Sequence, residues 1–563
     1  MGRMHGNDTV IGRCGADPPS AAGRPRPATA EGRANTHMTR RTYLKATAAA
    51  LGASTTMLAA DVDVELSPGE PGPEINPHLY GHFIEHLGGV IYDGVWVGRD
   101  SKIPNVGGIR KQFIDDMKRI GAPNLRWPGG CFADGYHWRD GLGAGAKRPR
   151  TYNYWQRTMP AGLQATETNQ FGLHEFIRLC RLVGAAPYLA GNVASGTPQE
   201  FHDLVSYCNA PAGTLSLADE RAANGDREPF GVRFWGVGNE AWGCGGSMQP
   251  GEYAQKFRQY TSQFPGYGPA FLIAVGPRGH NPDAGMSWTS GFFEAMRGTR
   301  PPDGFGLHFY TDLRSTKVKA GNFQTPEWYE VLLRGARLEK VLEDHWAIMA
   351  QFDPEHRTKL IVDEWGVWYP PGEEITPAYI LSQPITLRDA VHTGMHFDIF
   401  NRQAGKLAMC NVAQTDNCIH SLFLAQGDKY CRTTVYHVFD MYRPHMGAKL
   451  VPAKHQAPNL SVQGIAGSAT LPGLSVSASM KERRLTATLT NPSLNDSLTI
   501  RLRGARATEA RATILTHSDM KAANTFASPD MVRPAPLTVR VSAGAVELVL
   551  PAKAVAAVEI TAG

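Results

Sequence analysis

The chain has 563 residues, 42% hydrophobic, 19% charged and 9% aromatic, with 60 glycines and 39 prolines; this is the profile of a globular, loop-rich protein, not of a fibrous, coiled-coil or disordered one. The formal net charge is +5, but eight Lys/Arg and three Asp/Glu fall in the first 60 residues, so the remaining body is neutral and lacks the basic face a nucleic-acid partner requires. No run of about 18 apolar residues is present to span a membrane.

Residues 1–60 read as a leader. Thr39-Arg40-Arg41-Thr42-Tyr43-Leu44-Lys45 precedes an Ala-rich run ending at Ala60, the pattern of a twin-arginine signal peptide starting at Met38. The expected location is therefore periplasmic or secreted, with no membrane contact after export. A strand-like run opens the segment 61–75 and is expected to pair with a β-sandwich further along the chain.

Between residues 76 and 440 short β-rich runs alternate with longer segments of helical periodicity. The runs are Leu79–Phe83, Pro123–Trp127, Pro187–Ala190, Arg233–Val237, Phe271–Val275, Gly304–His308, Leu360–Val362 and Leu407–Cys410. Between the first two, Ile109–Ile120 is apolar at 109, 113, 114, 117 and 120, one buried helical face that stops at Gly121. Eight such alternations predict an α/β fold, a (β/α)8 TIM barrel, whose catalytic groups sit at the C-terminal ends of the strands. Glu85, Arg126, Asn192, Glu240, His308, Glu364 and Gln414 all fall at or just after a predicted strand. From residue 441 to 563 the pattern changes to period two, as in Arg484-Leu485-Thr486-Ala487-Thr488-Leu489-Thr490, which predicts a C-terminal antiparallel β-sandwich domain. The eight cysteines, at 14, 131, 180, 208, 244, 410, 418 and 431, show no Cys-x-x-Cys spacing. Neither a disulfide scaffold nor a zinc ribbon is expected.

Two carboxylates stand out. Phe234-Trp235-Gly236-Val237-Gly238-Asn239-Glu240 and Leu360-Ile361-Val362-Asp363-Glu364-Trp365 are buried-strand patterns ending in acids, on the fourth and seventh predicted strands. Opposite strands of an eight-stranded ring aim their C-terminal side chains across one mouth. Two carboxyls facing each other at about 5–5.5 Å are what a retaining glycosidase needs, one as nucleophile and one as acid, then base.

Six motifs occur in order: Gly81-His82-Phe83-Ile84-Glu85-His86-Leu87-Gly88, Arg126-Trp127-Pro128-Gly129-Gly130-Cys131-Phe132, Gly238-Asn239-Glu240, Gly306-Leu307-His308-Phe309-Tyr310, Asp363-Glu364-Trp365 and Asn411-Val412-Ala413-Gln414-Thr415. Together they resemble the α-L-arabinofuranosidases of glycoside hydrolase family 51. The resemblance implies catalytic roles for Glu240 as acid/base and Glu364 as nucleophile, with Asn239 on the sugar 2-OH. It also implies that Tyr310 donates to Glu364, that His308 lies near the acid/base, and that Glu85, Arg126, Cys131 and Gln414 complete the sugar pocket. Glycosylation of Glu364 would remove its charge and let Glu240 act as base in the second step. The resemblance further implies a carbohydrate partner, namely arabinan, arabinoxylan or an arabino-oligosaccharide, and a homo-oligomer. Gly366 departs from the Asn of many relatives, and Trp242-Gly243-Cys244-Gly245-Gly246 marks one branch of the family. Thr151 to Thr168, with Tyr152, Tyr154 and Trp155, is a candidate sugar-stacking platform, loop packing being the alternative.

No cofactor and no metal are expected, since cleavage by two carboxylates needs neither. His82-x-x-Glu85-His86 matches a zinc pattern, but that pattern needs a helix and this run reads as a strand end. Other readings of the same chain are a β-xylosidase or endoglucanase on the same barrel, or a carbohydrate-binding relative that has lost turnover. The last would be signalled by loss of either Glu, and both are present.

Overall fold

The computed structural model describes residues 60–156, 166–279, 282–375 and 379–563. Strand β1 (Ala60–Leu66) precedes eight strands that close into a parallel barrel in chain order: β2 (Gly81–Phe83), β3 (Asn124–Trp127), β4 (Ala186–Gly191), β5 (Phe234–Val237), β6 (Phe271–Arg278), β7 (Gly304–Asp312), β8 (Lys359–Trp368) and β9 (Leu407–Ala413). Strand β9 pairs back onto β2, with Asn411 opposite Gly81, which completes the ring. Helices cover the outside, among them Lys111–Ile120, Leu173–Val183, Pro198–Asn209, Pro250–Thr261, Thr325–Ala350, Leu387–Arg402 and Thr434–Tyr442. Strands such as Leu360-Ile361-Val362 are apolar on both faces because one face meets the barrel interior and the other meets these helices.

The expected (β/α)8 barrel is therefore present, with local differences that have physical causes. Leu79 and Tyr80 belong to a 3-10 turn, Pro77–Tyr80, because Pro77 starts it and the Asn76 side chain accepts the His78 N–H at 3.0 Å. Ile109 and Arg110 pair with Asn105–Val106 instead of opening the helix, and the Arg110 guanidinium donates to the carbonyls of Asp93, Gly94 and Gly427. Strands β7 and β8 run on past their predicted ends, so His308, Tyr310 and Glu364 lie within strands.

The interior is layered. Tyr188, Phe234, Ile273, Ile361 and Met409 pack as an apolar plug near the N-terminal ends of the strands. The charged side chains are thereby confined to the C-terminal mouth.

The C-terminal strands form two packed sheets. One is ordered Ala453–His455, β1, Leu498–Arg503, Ala545–Leu550, Val539–Ser542; the other is ordered Lys449–Val451, Ser475–Lys481, Arg484–Asn491, Ala554–Ala562, Ala507–Leu515, Ala535–Leu537. Pairing is antiparallel throughout except that β1 runs parallel to Leu498–Arg503. Val62, Val64 and Leu66 pack with Leu489, Ile500, Leu502, Val546 and Val558 between the sheets. The helix Leu387–Arg402 is buried because it lies against this sandwich: Asp398 accepts hydrogen bonds from Ser477, Thr488 and Tyr442, and burial holds its carboxyl up at about 6.

Candidate active site

Strand β8 carries the central acid. Its register to β7 runs Leu307 opposite Val362, then His308 opposite Glu364, so Asp363 is an extra residue in a bulge. A second slip occurs against β9, between Val362 and Trp365. A regular strand would send Asp363 and Glu364 to opposite faces; the bulge brings both to Arg126. Arg126 Nη1 donates to Glu364 Oε1 at 2.6 Å and its Nε lies 3.5 Å from Asp363 Oδ1. Arg126 is fully buried, its guanidinium sits 4.5 Å from the centre of the Phe83 ring, and Nη2 donates to Asn239 Oδ1 at 2.6 Å. Tyr188 and Asn411 donate to Asp363 at 2.8 and 3.0 Å. The Asp363 carboxylate and its partners thus brace Arg126, which in turn braces Glu364.

Burial alone would raise the Glu364 pKa, but His308, Arg126 and a hydrogen bond from Tyr310 at 2.8 Å outweigh it and hold the carboxyl below the usual range. Glu364 is therefore anionic at neutral pH. His308 and Tyr310, two residues apart on β7, share one face by strand alternation. His308 Nδ1 lies 3.0 Å from Glu240 Oε1 and 3.4 Å from Glu364 Oε2. Burial lowers the His308 pKa, but the two carboxylates more than compensate and leave it raised.

Glu240 follows β5 by way of Gly238, whose φ of +90° favours glycine and where a Cβ would stand 2.5 Å from Val193. One donor atom from each of Glu240, His308 and Glu364 lies within 4.8 Å of the others. Glu240 is the more open of the two acids, with a side chain 19% exposed against 7% for Glu364. Glu85 completes the floor: Gly130 N–H and Phe132 N–H each donate to its Oε1 at 3.0 Å, and Gln414 donates to Oε2 at 2.9 Å. Burial, with Glu364 adding repulsion, raises the Glu85 carboxyl to about 7. Gly129 and Gly130 let the loop pass against both acids, since a Cβ would meet Glu85 Cγ at 2.6 Å or Glu364 Oε1 at 2.7 Å.

Nine of the residues singled out from the sequence, Glu85, Arg126, Cys131, Asn239, Glu240, His308, Tyr310, Glu364 and Gln414, thus meet at one mouth. Asn192 does not join them; its side chain accepts the Ser195 and Gly196 N–H groups in its own loop. Sequence reasoning missed Asp363 and Tyr188. It also missed Asp134, a buried carboxyl raised to about 8 by desolvation, with Glu240 adding to the shift. Cys131 and Cys244, 113 residues apart, form a disulfide, a pairing their spacing in the sequence does not signal, because the loops after β3 and β5 converge beside Glu240.

The zinc pattern is dispersed. The two nitrogens of His86 meet Glu167 and Trp127, while His82 packs on Phe439. Among the described residues the donor clusters are Glu240–His308–Glu364 and Cys131–Glu240–Cys244, and in the second the sulfurs are already bonded to each other. Tyr152, Asn153, Tyr154 and Trp155 line a pocket of about 490 Å³ with Cys131, Asp134 and Cys244; residues 157–165 of the predicted platform lie outside the described residues. Gly366 has a packing reason, since a Cβ there would stand 2.6 Å from His420 Cβ.

Comparison with known proteins finds relatives along most of the chain. Residues 116–315 match the alpha-L-arabinofuranosidase 1 domain and residues 363–554 the alpha-L-arabinofuranosidase C-terminal domain. The chain is 36% identical to an intracellular exo-alpha-L-arabinofuranosidase of Bacteroides ovatus, over 90% of this chain and 98% of that protein. Among solved structures, a GH51 arabinofuranosidase from Xanthomonas axonopodis pv. citri has a TM-score of 0.83 at 36% identity, covering 89% of this chain and 100% of that one. An alpha-L-arabinofuranosidase from Thermotoga maritima, in complex with arabinose, has a TM-score of 0.77 at 29% identity, with the same coverage. The Bacteroides relative is intracellular, which overturns the periplasmic or secreted location read from Arg40-Arg41. Those residues lie outside the described residues.

Proposed function

The chain belongs to the α-L-arabinofuranosidases of glycoside hydrolase family 51, and from that premise we propose that it releases terminal α-L-arabinofuranosyl residues from arabinan, arabinoxylan or arabino-oligosaccharides by double displacement. Glu364 attacks the anomeric carbon while Glu240 protonates the departing oxygen. An arabinosyl ester on Glu364 results, and Glu240 then takes a proton from the water that cleaves it, so configuration is retained. The observation that carries this reading is the approach of Glu240 and Glu364 oxygens to within 4.8 Å, which supports the roughly 5–5.5 Å separation of retaining enzymes over the roughly 6.5–9.5 Å of inverting ones.

Burial supports an exo action. The nucleophile, Arg126 and Glu85 form the floor, while the more open Glu240 stands nearer the rim where the leaving group departs. In this reading Asn239, held by Arg126, binds the sugar 2-OH, and Glu85 with Gln414 binds other hydroxyls. The pocket beside Tyr152, Tyr154 and Trp155 is where the leaving sugar would stack. Homo-oligomeric assembly is part of the same reading, with light scattering as its test.

Methanolysis of an aryl α-L-arabinofuranoside followed by proton NMR tests the mechanism: the methyl α-anomer is expected, and the β-anomer would refute it. A panel of aryl α-L-arabinofuranoside, β-D-xyloside and β-D-glucoside tests the substrate, with the first expected to dominate.

A further inference from the structure

Glu240 opens a short glycine-rich segment that is folded by its own backbone hydrogen bonds and tied to the rest of the mouth by two side chains. After Glu240 the chain makes a tight turn on that residue's own carbonyl, which accepts the N–H groups of Gly243 at 2.7 Å and Gly245 at 2.9 Å. The turn contains Gly243, Gly245 and Gly246, the last at a φ of +128°, and glycine gives the backbone more states to lose than any other residue. One side of the turn is anchored by Trp242, whose indole N–H donates to the Gly276 carbonyl at 3.0 Å and whose ring lies 4.3 Å from the Arg278 guanidinium. The other side is anchored by Cys244, through its bond to Cys131.

Cys131 belongs to the loop that wraps Glu85 through the flanking Gly130 and Phe132 N–H groups. The disulfide therefore ties the turn bearing Glu240 to the loop that fixes the sugar-binding floor. It also touches the acid itself. Glu240 Oε2 lies 3.6 Å from the Cys131 sulfur and 3.8 Å from the Cys244 sulfur, while Oε1 faces His308. A disulfide has no hydrogen to donate, so Oε2 is walled by sulfur without being engaged by it. Both cysteines line the pocket beside Tyr152 and Trp155, within reach of a small dithiol.

We propose that Cys131 and Cys244 are positioning residues for the general acid: their disulfide holds the glycine-rich turn so that Glu240 Oε2 is presented, unengaged, to the leaving-group oxygen. Reduction would release the turn and place two S–H donors against Oε2, diverting the oxygen that must deliver the proton. The chemistry balances, since a dithiol such as dithiothreitol closes to its cyclic disulfide as the two sulfurs each gain a hydrogen. The other described cysteines, Cys180, Cys208, Cys410, Cys418 and Cys431, are buried thiols that a reductant leaves unchanged.

The proposal rests on Glu240 being the acid/base, and the experiment separates the two. Turnover of 2,4-dinitrophenyl α-L-arabinofuranoside, whose leaving group needs no proton, is compared with that of the methyl glycoside, whose leaving group does. Four samples are assayed: oxidised enzyme, enzyme reduced by dithiothreitol, the reduced sample reoxidised, and the C131A/C244A variant. Reduced enzyme and variant should lose roughly tenfold to a hundredfold more kcat/KM on the methyl glycoside than on the dinitrophenyl one, part of the 10²–10⁴ a general acid supplies. Reoxidation should restore turnover of the methyl glycoside and abolish that difference. Equal losses on both substrates, or none on either, would overturn the proposal, and the reduced native enzyme keeps the test valid if the variant folds poorly. Glu240→Gln provides the control. If it shows the split and the reduced enzyme does not, the disulfide's role alone fails; if it shows no split, the acid assignment fails and the proposal with it.

Discussion

Replacing Arg126 by methionine should reverse the pH dependence of stability that Glu364 contributes. In the native protein Glu364 is held below the usual carboxylate range, so its share of stability is present above its unfolded pKa and lost as pH falls through that range. Without Arg126, the Asp363 and Glu364 side chains, each 7% exposed, would lose the guanidinium they share, leaving His308 beside Glu364 alone. Burial and mutual repulsion would then raise a carboxyl, the folded state would hold its proton to higher pH, and stability would fall as pH rises. Breaking a buried ion pair by removing one partner typically costs about 3–5 kcal/mol. That loss should appear in full at pH 8 and shrink by more than about 1.4 kcal/mol, one pKa unit, at pH 5. Urea-unfolding midpoints of both proteins at the two pH values measure it. A loss under about 1 kcal/mol, or one that does not change with pH, would refute the view that Arg126 is the cation holding the two acids, since it falls below the range for a broken buried pair.

Azide separates the two acids: with an activated aryl substrate it should rescue Glu240→Ala and give the retained glycosyl azide, while Glu364→Ala should give the inverted one; the opposite pattern would swap the roles. Glu85→Gln should remove a titration near pH 7 from the kcat/KM profile, since the native carboxyl is raised to about 7; persistence of that inflection would assign it elsewhere. His82, His396, His420 and His445 are lowered to about 3, and His345 and His437 to about 4, all mainly by burial. The unfolded chain therefore gains protons that the folded one refuses, and stability drops as pH falls below about 6.5. Glu85 at about 7, with Asp134 and Asp416 at about 8, works in the opposite sense from about pH 4 up to those values, and prevails above about 6.5 where the histidines no longer titrate. Unfolding midpoints should peak near pH 6.5, and a steady rise to pH 8 would contradict this balance.

The barrel was legible because its strands, buried on both faces, are apolar runs at a spacing that only alternating helices fill. Glu240 and Glu364 could be read from their place at the ends of such runs. Asp363 could not be assigned a role, because period-two alternation sends it away from the site and only the bulge against β7 and β9 returns it. The nearest hint was the Asp-Glu pair at a strand end. Cys131 and Cys244 gave no signal, being far apart in sequence and joined only once the β3 and β5 loops meet. Asp134 was hidden in the same way, for nothing local marks a carboxyl that becomes buried through a neighbouring strand's loop. The His82-x-x-Glu85-His86 pattern shows the converse: on a strand end and turn it spreads its side chains to separate partners instead of one ion.

The central claim is that Glu364 carries the sugar between the two steps. Glu240→Ala incubated with 2,4-dinitrophenyl α-L-arabinofuranoside should accumulate that ester, because the first step needs no acid and the second lacks its base. Intact-protein mass spectrometry should show one added anhydroarabinosyl unit, and peptide mapping should place it on Glu364. Unmodified protein during steady turnover, or the sugar on any other residue, would contradict the account.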